Sequence, residues 1–431
     1  MGNKERNGKG RQFFLSTLFR SFLILAMLAF SALSVYSAEP IKVGGLFVLS
    51  GVTGSAGELQ VKSAKAAAEV IKDQGGIING RNFEFKILDN EGKADVVVRQ
   101  IKRLVNTEGY KFVLVGGNTA TCAAVQNIAH ELDAVIIDVV AMSNFLRGKD
   151  CQKNVFLAAA PVNVTLRALA KRIVKDGFTG LRWAGLDPDY SFGHDSWESF
   201  SKYIKEYDPS AQLIGPRYFP FREPNLVPHI EGVIASKPTG IFSSAWAGDL
   251  HNIITQGAPR GLFKEAILAT YDILEALRIG GGKHVPKTTI VSDRECWAVN
   301  PDSPQSRKIY QEKYWKMYGE RPIYQQSCSY DGVIILAEAI RKAKSLDVSK
   351  VIGAIEGLQY NGSLGKSVVR AGDRQVEYPY QPTYRLVAAP GEPKPSWLKV
   401  PEGGWKMVDP YGITGNYDPP GFFGCPFAGK K

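Results

Sequence analysis

Short apolar runs and helical stripes follow one another along the chain. Residues 41–48 are an apolar run of the length of a buried strand, and a Gly- and Ser-rich loop over 50–57 follows it. An alanine-rich helical pattern over 58–73 ends at Gly75-Gly76, Asn79-Gly80 marks a turn, and residues 82–88 return as a strand. Val97, Ile101, Leu104 and Val105 share a helical face; 112–115 reads as a strand. Thr121 can cap a helix whose Val125, Ile128 and Leu132 share a face, and the next strand covers 134–137. A second set begins after 155–158. It comprises a helix over 163–175, a strand over 181–186 and a helix after Tyr190 that buries Trp197, Phe200, Ile204 and Tyr207; strands follow near Leu213, Ile241 and Ile267. Strand–helix repetition with short loops predicts α/β architecture, two open parallel sheets with helices on both faces. After Thr288 the pattern changes to a strand and two long helices over 305–318 and 330–343, then a β-rich piece over 366–387. The last 40 or so residues, rich in Pro, Gly and Trp, carry no period and read as a wrapping tail or a flexible extension.

The first 38 residues stand apart. Lys4, Arg6, Lys9, Arg11 and Arg20 precede an apolar run over 22–33, and small residues lead to Glu39-Pro40. This is the layout of a cleaved secretory signal peptide, with an apolar run shorter than the ~20 residues of a membrane-spanning helix. No cysteine near the cleavage site indicates a lipid anchor, so export to the periplasm is expected. The formal charge of the whole chain is +11, and removing these residues leaves it near +7. The basic residues are dispersed, as at Lys62, Lys65, Lys72 and Arg81, with no stripe interleaved with aromatics, which argues against nucleic acid as a partner.

All five cysteines, Cys122, Cys151, Cys296, Cys328 and Cys425, lie beyond the signal segment, and no two form C-x-x-C. With His130, His194, His229, His251 and His284 scattered, no metal site or metal cofactor is indicated. An oxidising compartment permits disulfides, and an odd count leaves at least one cysteine without an intrachain partner. Cys296–Cys328 is the expected pair, one cysteine following the strand that returns to the first lobe and the other preceding a helix of that lobe; Cys122–Cys151 competes with it. Gly51, Gly54 and Gly57 give G-x-x-G-x-x-G, which is neither a dinucleotide fingerprint nor a P-loop, so no nucleotide cofactor is expected.

Open parallel sheets bind ligands beyond the carboxyl ends of their strands. In the first set the loops there are 50–57, 116–121 and 140–143. Gly116-Gly117 lets backbone approach a ligand, and Asn118, Thr119, Ala120 and Thr121 stand at a helix N-terminus, where free N–H groups and the dipole favour a carboxylate. Thr121 can equally serve only its own helix as a cap; the two roles are compatible. Ala141, Met142 and Ser143 form the third loop. In the second set Tyr190, Phe192, Trp246 and Tyr271 occupy equivalent edges, where aromatics can cover an apolar ligand body, and Asp272 or Asp249 could pair with an ammonium.

With these residues in view, the chain resembles the Leu/Ile/Val-binding-protein type of ABC-transporter substrate-binding protein. The resemblance is carried by IKVGGLFVLSGVTGSAG, AAAEVIKDQGGIINGRNFEFKILDNEGKADVVVRQIKRLV, GGNTAT, VVAMSN, DYSFGHD, SYDGVIILAEAI and GKSVVRAGDRQ, and covers residues 41–387. It implies the type I periplasmic-binding-protein fold: two doubly wound parallel-sheet lobes joined by three crossovers and closing over a small solute. It also implies a monomer that delivers the solute to a membrane permease, with no catalysis. The ligand carboxylate would be held by the loops matching 117–121 and 141–143, and positions matching Phe192, Trp246 and Asp272 would contact the rest. Asn118-Thr119-Ala120-Thr121 stands where the family often has Ser-Ser, Met142 replaces a frequent Thr, and Ala56 falls near a common Tyr. The resemblance implies an amino acid or a related organic acid or amide as ligand; these departures argue against an α-amino acid and leave room for an aromatic or aliphatic carboxylate, or an amide. The expected division is 39–158 with 292–362 as one lobe, 159–291 with 363–388 as the other, and 389–431 as an extension. Two other classes stay in view, a sensory receptor acting on a signalling partner and an α/β enzyme, although no nucleophile–base pair is visible.

Overall fold

The computed structural model describes residues 39–293, 304–323 and 326–429. In the first lobe the expected alternation is present as β1 (Ile41–Phe47), α1 (Gly54–Asp73), β2 (Phe83–Asp89), α2 (Ala94–Lys102), β3 (Phe112–Val115), α3 (Thr119–Ile128), β4 (Val135–Asp138) and β5 (Val155–Leu157). The strands form a parallel sheet in the order β2-β1-β3-β4-β5. β3 and β4 are buried along their whole length, because helices cover both faces; this is why they read as unbroken apolar runs. The alanines Ala64, Ala66, Ala67 and Ala68 lie in the core formed with the later helices, and their small side chains let a partner helix pack close to α1.

The second lobe begins with α4 (Val162–Lys175), β6 (Arg182–Pro188), α5 (Ser191–Tyr207), β7 (Gln212–Phe219), α6 (Val227–Ala235), β8 (Gly240–Ser243), α7 (Ala247–Gly257), β9 (Ile267–Thr270), α8 (Leu274–Ile279) and β10 (Thr288–Ser292). The chain then returns to the first lobe. There α9 (Gln305–Tyr318) and α10 (Gln326–Ala343) pack on α1, followed by α11 (Val348–Ile355), β11 (Gln359–Gly362), β12 (Gly365–Val369) and β13 (Val376–Glu377). It ends in β14 (Gln381–Ala388) and β15 (Trp405–Ile413). The second sheet runs β15-β14-β10-β9-β8-β6-β7, parallel from β10 to β7 and antiparallel at β14 and β15.

Three expectations differ from these observations. Residues 365–377 were expected in the second lobe; β12 and β13 instead pair with each other and with β11, and Val369, Val376 and Tyr378 are buried in the first core. The passage between lobes therefore falls at 378–380, where the Tyr378 hydroxyl donates to the carbonyl of Ala158 at 2.8 Å and joins two of the connections. The tail contains a strand that its sequence conceals: β15 carries Pro410 and Gly412, tolerated because it is the edge strand of its sheet. Thirdly, Cys151 pairs with Cys425, with Cα atoms 5.7 Å apart, which excludes Cys122–Cys151. Cys122 is buried on α3 beside Asp138. Cys296 lies outside the described residues, so its expected pairing with Cys328 does too, as do residues 1–38. Among the described residues no helix is long and apolar enough to cross a membrane.

Candidate functional site

The first-lobe wall is built at the carboxyl ends of β3 and β4. Asn118, in extended backbone, caps α3: its Oδ1 accepts from Thr121 N at 3.0 Å, and Thr121 Oγ1 accepts from Asn118 N at 3.0 Å. The cap is thus Asn118, and Thr121 is its reciprocal partner; the Thr121 side chain is fully buried and its hydroxyl also donates to Asn118 O at 2.8 Å. Gly117 has φ +134°, and a Cβ there would stand 2.6 Å from Thr121 Oγ1, so the turn needs glycine. The cap consumes the N–H groups of Asn118 and Thr121. Those of Thr119 and Ala120 have no intrahelical acceptor. The Thr119 hydroxyl lies 3.2 Å from that of Ser143.

The neighbouring loop is held from below by two buried charges. Asp138 Oδ1 accepts from Val140 N at 2.9 Å and Ala141 N at 2.8 Å. Arg147, fully buried, donates to the carbonyls of Ser143 at 2.8 Å, Ala141 at 3.1 Å and Ala159 at 2.7 Å, and through Nε to Gln375 Oε1 at 2.8 Å. Gln375 in turn donates to the carbonyls of Leu157 and Ala159, so the loop is fixed to two of the interlobe connections.

The second-lobe wall is aromatic. Trp246 Nε1 donates to the Tyr190 hydroxyl at 3.1 Å; the Tyr190 ring lies 5.9 Å from Phe192 and 5.0 Å from Phe221, and Phe221 lies 5.7 Å from Trp246. Tyr190 and Trp246 are both the residues preceding helices, α5 and α7, and Ala247 after Trp246 has φ +48°, a conformation costing an L-residue about 1 kcal/mol. Burial pushes the Tyr190 phenol well above its usual range.

Between the walls the closed cleft leaves a space of about 20 Å³, lined by Gly117, Asn118, Thr119, Val140, Ala141 and Met142 from one lobe and Tyr190, Phe192 and Trp246 from the other. No charged side chain is part of this lining. Of the residues expected at the site, seven are on the wall: Asn118, Thr119, Ala141, Met142, Tyr190, Phe192 and Trp246. Ser143 stands one layer back, behind Thr119. The Ala120 side chain is exposed to solvent, which leaves only its N–H for a ligand. Thr121 is occupied by the cap. Tyr271 lies behind Phe192, with ring centroids 5.4 Å apart, and its hydroxyl is 3.1 Å from Ser196 Oγ.

Asp272, expected to meet a ligand ammonium, is fully buried and off the wall, as is Asp249. Burial, reinforced by neighbouring Glu275, holds the Asp272 carboxyl well above the usual range. Burial likewise raises Glu275 to about 7, opposed by the hydroxyl of Ser55, and Asp249 to about 6, opposed by Arg222.

Contacts across the cleft were not foreseen. Arg222, which follows β7 at φ +67°, reaches over to donate to Thr53 Oγ1 at 2.9 Å and to the carbonyl of Glu91 at 3.3 Å. Ser55 donates to Glu275 Oε1 at 2.8 Å, and Asn144 N donates to Asp195 Oδ2 at 2.9 Å. Glu320 accepts from Lys62 at 2.7 Å and from Arg278 at 3.3 Å. The only signal for Arg222 was its place beyond the carboxyl end of a strand. Among the described residues no group of His, Cys, Asp and Glu could hold a metal ion.

Two parallel-sheet lobes facing one another across a closed cleft, with a helix N-terminus on one side and aromatics on the other, define a cleft-binding receptor of the type I periplasmic-binding fold. The sequence profile of the periplasmic binding proteins matches residues 40–385, and the chain belongs to that family. It is 21% identical over 383 residues to Leu/Ile/Val-binding protein homolog 4 of Brucella melitensis, covering 85% of this chain and 88% of that protein. Its fold is similar to that of the leucine-, isoleucine-, valine-, threonine- and alanine-binding protein from Brucella ovis in its closed conformation, with TM-score 0.74, 20% identity and 89% and 98% of the two chains covered. It is also similar to an ABC-transporter solute-binding protein from Rhodopseudomonas palustris in complex with 3,4-dihydroxybenzoic acid, with TM-score 0.71, 19% identity and coverage of 88% and 98%.

Proposed function

We propose that this protein captures a small carboxylate lacking an ammonium group, with an aromatic or aliphatic body, and delivers it to the permease of an ABC importer. The observation that carries the reading is the uncharged lining of the cleft. A carboxylate meets the Thr119 hydroxyl and the N–H groups of Thr119 and Ala120, whose partial positive charge is strengthened in a site closed to water. An α-ammonium would have no carboxylate facing it, because Asp272 and Asp249 are off the wall and their burial favours the neutral acid. Tyr190, Phe192 and Trp246 cover the ligand body. The solved relative bound to 3,4-dihydroxybenzoic acid shows that the fold admits such ligands.

In this reading residues 1–38 direct export and are removed, the protein works as a periplasmic monomer, and it uses no cofactor and performs no catalysis. Calorimetry and thermal shift with benzoate, 3-phenylpropionate, phenylalanine, leucine and benzamide test it. At 100 times its dissociation constant, a ligand stabilises by about 2.7 kcal/mol. Binding of benzoate or 3-phenylpropionate in preference to phenylalanine supports the reading. Preference for phenylalanine or leucine overturns it.

A further inference from the structure

The tail does more than complete a sheet. β15 runs antiparallel to β14, from Trp405 opposite Ala388 to Ile413 opposite Gln381, so it ends at the hinge side of the second lobe. The chain then crosses to the first lobe. Asn416 O accepts from Arg167 and Asn416 Oδ1 from Lys171, both on α4 of the second lobe. The Tyr417 hydroxyl accepts from the main-chain N of Tyr378, within an interlobe connection. Asp418 holds both lobes at once: its carboxylate accepts from Arg167 at 2.7 Å and from Asn163, while its carbonyl accepts from Arg370 of the first lobe at 2.8 Å. Further on, the Phe427 ring lies 4.6 Å from the Arg374 guanidinium, and Cys425 is bonded to Cys151, both in the first lobe.

We infer that residues 414–425 are a fourth connection between the lobes, anchored by a disulfide, that biases the cleft toward closure. The Asp418 contacts are made in a structure whose cleft is bridged by Arg222 and by Ser55. A rotation that parts α4 from the loop carrying Arg370 must break one set of them. The disulfide keeps the tail beside its docking site, so a broken contact re-forms at high effective concentration. The segment therefore acts as a strap along the hinge, and it tilts the equilibrium between open and closed forms before any ligand arrives.

Small-angle scattering on the ligand-free chain lacking residues 1–38 tests this. The double variant Cys151→Ser/Cys425→Ser removes the anchor, and Asp418→Asn keeps the anchor but weakens the grip. Circular dichroism checks that each is folded. Both are expected to shift the radius of gyration upward from that of the unaltered protein, the double variant by more. Scattering curves from folded variants that superimpose on the unaltered one overturn the strap. If the double variant fails to fold, Asp418→Asn decides alone: an upward shift supports the inference and no shift overturns it. No ligand is used, so this outcome is independent of the ligand proposed above.

Discussion

Replacing Arg222 with Met should weaken ligand binding without altering a single wall residue. In the closed cleft the guanidinium makes one well-formed hydrogen bond, 2.9 Å to Thr53 Oγ1, and a longer one, 3.3 Å to the Glu91 carbonyl. A hydrogen bond from a charged donor contributes about 1.5–3 kcal/mol. The longer contact and the partial solvation of Arg222 argue for the low end, a combined value of about 2 kcal/mol. These bonds exist only when the lobes meet, so their loss penalises the closed form and not the open one. If binding requires closure, the dissociation constant rises by the same free energy, roughly 30-fold. Methionine loses the stacking of the guanidinium on Phe221, 5.1 Å from the ring centroid, but that contact lies within one lobe, and the main-chain bond from residue 222 to Asp249 survives. The assay is titration calorimetry with the ligand found by screening, read alongside the scattering radius at saturation. An unchanged dissociation constant in a folded variant would refute the reasoning, since it would mean that the clasp contributes nothing to closure.

Three further outcomes are expected. Thr119→Val should cost about 1.5–3 kcal/mol of binding in calorimetry while leaving the melting temperature nearly unchanged, because its hydroxyl is on the wall. Thr121→Val should do the reverse, losing about 1 kcal/mol of stability in urea unfolding through the cap and little affinity; equal effects from the two threonines would contradict the division between them. Glu275 titrates near 4.5 when unfolded and at about 7 when folded, so folding favours its protonated form; that stabilisation is complete below pH 4.5 and fades as pH rises toward 7. Between pH 4.5 and 7.5 the unaltered protein should therefore lose stability relative to Glu275→Gln in denaturant melts, and parallel pH profiles would show that the carboxyl is not held neutral.

The first lobe was readable almost strand by strand, because β3 and β4 are buried on both faces and α1 stops at paired glycines. What escaped sequence reading has physical causes. Residues 365–377 and 381–388 have the same β composition, and only the packing of Val369, Val376 and Tyr378 decides which lobe takes the first of them. β15 hides behind Pro410 and Gly412, residues that an edge strand tolerates and a central one does not. Asn118 and Thr121 are both good capping residues, and either could have led the helix; the geometry at Gly117 settles it. Tyr190, Phe192 and Trp246 were found by their loop positions, whereas Asp272 had the same address and faces inward. Arg222 sits in a loop without period. The Cys151–Cys425 bond joins residues 274 apart through a tail whose path no local pattern records.

Arg147 never reaches the cleft, yet it fixes which edge of the backbone the cleft presents. Its guanidinium draws the carbonyls of Ala141 and Ser143 downward. A trans peptide points its N–H opposite to its C=O, so the amide that follows Ala141, at Met142, is turned away from Arg147. Asp138 works on the same loop with the opposite polarity: its carboxylate draws in the N–H groups of Val140 and Ala141, which turns the carbonyls of Val139 and Val140 the other way. The hydrogen-bonding edge that this loop shows to the cleft is thus set from underneath, by two charges that stand off the wall.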